Sequence, residues 1–195
     1  MLKEFIDFVD SVLPSVDPDF RDGAKTAVEQ FEKEGHELNF LMSNILDELS
    51  QGDIISKVPF VYFDSDGKQK VFVADAMVIS TSCHIDQKDK LILAPIIPLT
   101  EFKGNQVALN ALKKNTIFDF WYIPDAKLNN GFISFSILST YDKKLLFEGM
   151  EKGRIQRIAS LNQLGYYFFI IKLSVYFMRK EDAQTLSDRG IGYAS

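Results

Sequence analysis

The chain is poor in the residues most often used for chemistry. It has one cysteine, Cys83, and two histidines among 195 residues. A single cysteine excludes an intrachain disulfide and fits a reducing, cytoplasmic setting. A basic surplus is also missing: 22 Lys and Arg stand against 27 Asp and Glu, a net charge of −5. Duplex DNA is therefore a poor candidate partner, because a duplex-binding domain usually carries a positive excess. No apolar run is long enough to span a bilayer, since Leu164 to Met178 is short and contains Lys172. The start, Met1 to Asp7, carries acids and lacks the apolar stretch of a secretory signal. There is no Gly-rich phosphate loop, no dinucleotide-binding fingerprint and no Ser-His-Asp signature. What remains is a chain 46% hydrophobic and 13% aromatic, with material for a packed core.

The apolar period divides the chain. Leu2, Phe5, Ile6, Val9, Val12 and Leu13 share a helical face, and Pro14 ends it. Asp17-Pro18 reads as a helix start. Phe20, Ala24, Ala27, Val28 and Phe31 continue a helical stripe, as do Leu38, Leu41, Met42, Ile45, Leu46 and Leu49. Either a helical hairpin breaks at Gly35 or one helix of about 50 Å runs on to Ser50; the break is favoured. Residues 1–50 are thus expected to be helical and to serve as an interaction element.

At Gln51-Gly52-Asp53 the period changes to two. Strands are expected from Ile54 to Tyr62, Gln69 to about Ser82, Leu91 to Leu99, Thr116 to Ile123, Phe132 to Thr140 and Lys144 to Glu148, with another at Arg154 to Ile158. Asp64-Ser65-Asp66-Gly67 reads as a hairpin turn. Residues 101–114 are a short helix or a long loop. Ser160-Leu161-Asn162-Gln163 has the form of a capping box opening an apolar helix. Residues 179–195 read as a polar, flexible tail. This order predicts an α+β fold: an antiparallel sheet curled into a small barrel over 52–178, with a helix at its end.

Several segments in order resemble the bacterial MazF/PemK toxin barrels. Gly52-Asp53-Ile54-Ile55 is similar to their first strand, and Ala76-Met77-Val78-Ile79-Ser80 to their central strand. Leu91-Ile92-Leu93-Ala94-Pro95, then Gly131 to Phe135, then Lys152-Gly153-Arg154-Ile155 and the helix after Ser160, resemble the rest. The resemblance implies an SH3-like barrel, a homodimer, and membership of a family that often cleaves single-stranded RNA. It also implies residues that this chain lacks. Asp75-Ala76 stands where the family commonly has Arg-Pro, and Ile96, Ile97 and Pro98 where a Ser or Thr follows the strand's proline. Cleavage without a metal needs a base, an acid and a cation for the phosphorane charge, and the cation is missing.

Two functions follow as expectations. The first is a non-catalytic binding module of a toxin–antitoxin or phage-defence type system, contacting a protein partner. The second is an RNA endonuclease using other residues: His84 as base or acid with Asp86 nearby, and Arg154 or Arg157 on the phosphate. Ser80 to Asp86 collects Cys83, His84 and Asp86, but a thiolate nucleophile needs a base within reach. By strand parity with Val73, Met77 and Ile79, Cys83 reads instead as a buried, inert thiol. The spacing of Cys83, His84, Asp86 and Asp89 fits no usual zinc site, and neither a metal nor a cofactor is expected. Asp75 and Asp119 each fall on an apolar strand face and could form an acid/base pair or reach water at an edge. Lys143, Lys144, Lys152, Arg154 and Arg157, with Phe132, Tyr141 and Trp121, could form a face that stacks single-stranded RNA, or a solvated hairpin.

Overall fold

The computed structural model describes residues 18–35, 38–178 and 182–190. The expected helix at 2–13 and the last five residues lie outside these. Helix α1 (Pro18–Glu34) ends where Gly35 takes a φ of +63°, a conformation open to glycine and costly for most residues. Residues 38–50, expected to be helical, are not. Asn39 folds its side chain back to accept from the Leu41 amide, and Leu41 bridges to Leu161. The Met42 amide donates to the Ser160 carbonyl. The apolar spacing there serves an extended segment laid along the chain before the last long helix, because pairing with 160–162 satisfies the backbone groups a helix would have used.

Seven strands form one antiparallel sheet. They are β1 (Ile54–Phe63), β2 (Gln69–Val78), β3 (Lys90–Ile97), β4 (Phe120–Tyr122), β5 (Phe132–Ser134), β6 (Ser139–Asp142) and β7 (Arg157–Ala159). The order is β4-β5-β3-β2-β1-β7, with β6 also paired to β3. The β1–β2 turn uses the Asp64 carboxylate, which accepts from the amides of Asp66 and Lys68, while Gly67 takes a φ of +72°. The sheet is open: among the described residues no strand pairing joins its ends. A hydrogen bond crosses the opening, from the Tyr141 hydroxyl on β6 to the Pro59 carbonyl on β1, at 2.6 Å.

Two apolar layers follow from this curl. Inside it, Ile55, Val58, Phe60, Ala76, Val78, Leu91 and Leu93 pack with Ile85 of α2 (Ser82–Gln87) and Leu146 of α4 (Lys143–Glu151). On the other face, Ile54, Met77, Ala94, Ile96, Trp121 and Ile133 pack against Phe168 and Phe169 of α5 (Gln163–Met178), with Phe31 of α1 beyond. Helix α3 (Gln106–Lys113) covers β4 through Leu112, and a short α6 (Ala183–Asp188) follows α5.

Three expected elements differ. Residues 143–151 are helix rather than strand, because the Asp142 carboxylate caps the Lys144 amide and starts a turn. The strand expected across Phe132 to Thr140 is split by a 3₁₀ turn at Phe135–Ile137, which lets β5 and β6 pair with different halves of β3. Ser160 does not cap α5. Asn162 does, accepting from the Gly165 amide at 2.8 Å.

Candidate functional site

The Ser160 hydroxyl is used elsewhere. It donates to the Asp53 carboxylate at 2.6 Å. Asp53 is fully buried, and also accepts from the Ser50 amide and from Arg157, both within 3 Å. Arg157 further donates to the carbonyls of Leu46, Asp47 and Glu48. The Gly52-Asp53 pair therefore opens β1 as a fastener, tying segment 46–53 to β7 and the start of α5. Arg157 spends these donors inside that fastener, where a phosphate would have to displace them.

The other sequence candidates are dispersed. His84 and Asp86 lie exposed on α2, with the His84 ring 3.1 Å from the Thr81 hydroxyl oxygen. Arg154 is exposed between α4 and β7. No hydrogen bond or ion pair among the described residues joins His84 or Asp86 to Arg154 or Arg157. Lys143 donates to the carbonyls of Ile85 and Asp86, holding α2 against α4. Lys152 pairs with Glu148 one turn away. The proposed stacking face does not form: Trp121 and Phe132 are buried, and Tyr141 is turned toward β1. Cys83 is exposed. Its strand parity fails because β2 ends at Val78 and α2 begins at Ser82. Asp119 is exposed as well, so its carboxylate reaches water.

Among the described residues, a concave site lies along β2. An open groove of about 690 Å³ is lined by Lys70 to Asp75 of β2, Ile96 to Pro98 at the end of β3, Glu101, Leu128, Asn129, Ile137, Lys57 and Tyr62. Its volume suits a ligand or a peptide segment. Asp75 is legible in the sequence but the groove is not, because part of its lining, Leu128, Asn129 and Ile137, is 53 or more positions away in the chain.

The positions of three prolines explain why the groove exists. Pro95 faces Ala76 across β2–β3, and Pro59 faces Val73 across β1–β2. A proline has no amide hydrogen, so each sits in a non-hydrogen-bonded pair of the antiparallel ladder. It follows that Asp75 and Met77 point their backbone groups toward β3, and that Val71 and Val73 point theirs the same way. Asp75 pairs with Ile96; two residues further, Pro98 would face Val73 with no donor to offer. Pairing stops there, and the chain turns off through the 3₁₀ turn Leu99–Glu101. Among the described residues, nothing pairs with the outer edge of residues 69–73 of β2, which is left facing the groove.

Asp75 stands where this edge meets β3. Burial pushes its carboxyl above the ordinary carboxylate range, and a hydrogen bond from the Lys57 backbone amide works against that rise. Lys57 is the bulge residue of β1, with a φ of +58°. A non-glycine residue held in this region marks a backbone constrained by its surroundings. No cation among the described residues forms an ion pair with Asp75. Lys70, the groove's other base, pairs with Asp64 at 3.5 Å.

Among the described residues, no cluster of side chains could hold a metal ion and no helix is long and apolar enough to cross a membrane. Neither a family model, nor a curated protein, nor a solved structure matches the chain.

Proposed function

We propose that this chain is a non-catalytic binding module with a MazF/PemK-like, SH3-like sheet, acting by contact with another protein in a bacterial toxin–antitoxin or phage-defence type system. The observation that carries this reading is the groove's chemistry. Where those toxins would present an arginine and a hydroxyl to RNA, the groove has Asp75, Ile96, Ile97 and Pro98. A carboxylate repels a phosphate and cannot stabilise the charge of a phosphorane. Most of the lining is apolar, and its charges balance, Lys57 and Lys70 against Asp75 and Glu101, which suits a protein segment better than a polyanion. The Tyr141–Pro59 bond supports the SH3-like part of the reading, since it brings β6, paired to β3, against β1 across the curl of the sheet.

The reading is tested by incubating the purified full chain with mixed-sequence single-stranded RNA in chelator, while its expression is induced in growing bacteria. Intact RNA and unchanged growth are expected. Cleavage leaving 2′,3′-cyclic phosphate ends would overturn the reading in favour of an endonuclease.

A further inference from the structure

We infer that the groove captures an extended segment of a partner protein as an added strand on the free edge of β2, with a basic residue of that segment meeting Asp75. The inference deepens the binding reading above and rests on it.

The free edge supplies the first argument. Among the described residues, positions 69–73 of β2 pair with β1 on one side only. Their outward amides and carbonyls are a template that an extended backbone completes and no small apolar ligand can. The apolar surface supplies the second. Val61, Phe63, Val71 and Val73 line one face of the β1–β2 ribbon and are 47%, 70%, 63% and 65% exposed. A third strand with alternating apolar residues would extend this face and cover part of it. The walls supply the third. Leu128 and Ile137 line the same groove as β2 and offer apolar contacts to a segment laid along that strand. Charge decides the last feature. Asp75 is half-buried without an ion-pair partner among the described residues, so a Lys or Arg near the β3 end of the added strand is favoured. The chain's own first 17 residues suit the role less well, carrying Glu4, Asp7, Asp10 and Asp17 against Lys3.

The test uses a displayed library of random ten-residue peptides selected against the full chain. Enrichment of alternating β-branched or aromatic residues with one Lys or Arg is expected. Resynthesised peptides should weaken at least about tenfold when alternate amides are N-methylated, because several backbone bonds are lost together. Asp75→Asn should weaken the basic peptides several-fold and leave versions with the basic residue changed to Ala unaffected. Val71→Pro removes an outward amide while sparing the β1 ladder, and should abolish binding with the fold intact; if that variant does not fold, the N-methylated peptides still decide. Binding that is indifferent to N-methylation would overturn the added strand while leaving a binding groove. No enrichment, or a dimer in light scattering that protects the Val71 and Val73 amides without peptide, would also overturn it. None of these results bears on RNA cleavage, which the preceding experiment reads separately.

Discussion

Tyr141 and Pro59 lie 82 residues apart in sequence, and the tyrosine hydroxyl donates to the proline carbonyl at 2.6 Å. The bond joins β6 to β1 where no strand pairing does. Phe60 stacks edge-on to the same ring, 5.7 Å between centroids. Tyr141 thus holds the open side of the curl with both its polar and its apolar parts. Tyr141→Phe keeps the ring and removes the bond, so it should cost about 1 kcal/mol. For a chain of this size that is a fall of roughly 2–4 °C in melting temperature, readable by thermal circular dichroism.

The Asp53–Arg157–Ser160 fastener should be far less tolerant. Asp53→Ala leaves a guanidinium and a hydroxyl in a buried site without their acceptor, at a cost of about 3–5 kcal/mol. Arg157→Lys should not rescue the loop, because a point charge cannot reach Asp53 and three carbonyls together. Denaturant titration measures both. Near-native stability of Asp53→Ala would show that the fastener contributes little.

Lys172 is 2% exposed within α5 and donates to the carbonyls of Asn115 and Ile117. Burial pushes its amine down to about 7, with the charge of Asp119 working in the opposite sense. An unfolded lysine titrates near about 10.4, so between these values the unfolded chain binds more protons. The contribution of Lys172 to stability therefore rises as pH increases from about 7 toward about 10. Lys172→Met strips two carbonyls of their donor and should be less stable overall. It should also lose this rise, so its deficit against the parent grows with pH. A deficit independent of pH would contradict the depressed value.

Asp75 has the opposite sign. Its carboxyl is raised by burial, so the folded state holds the proton more tightly and stability falls as pH rises through the acid range. Asp75→Asn should therefore be the more stable protein at neutral pH, with the difference shrinking as pH falls from the raised folded value toward the unfolded carboxylate value and gone below it. Parallel melting curves across the acid range read this directly. A stability gain is what a group kept for binding rather than folding would show.

Cys83, exposed at the first turn of α2, should react fully with a thiol reagent in the native state. Protection until unfolding would restore the buried-strand reading.

Much of the sheet was legible in the sequence because its signals are local. The period-two runs of β1, β2 and β3, the Asp64–Gly67 turn and the stop at Gly35 depend on neighbours in the chain. The failures share a cause as well. Residues 38–50 have helical spacing but are claimed by residues 160–162 through backbone pairing. Lys144 to Glu148 carries a run of apolar residues that reads as strand until the Asp142 cap is seen. Cys83 was assigned by extending strand parity past the end of β2. The groove was invisible for a different reason: it depends on register. Pro59, Pro95 and Pro98 are plain in the sequence, but their effect on one strand edge appears only once β1, β2 and β3 are aligned.

That edge is the most direct place to test the account, by hydrogen exchange of individual amides in the native protein. The amides of Val71 and Val73 should exchange rapidly in the free chain, while those of Asp75 and Met77, bonded to β3, exchange slowly. A selected peptide should slow Val71 and Val73 to rates near those of their neighbours. Val71 and Val73 already as slow as Met77 in the free monomer, or unchanged by a bound peptide, would contradict it.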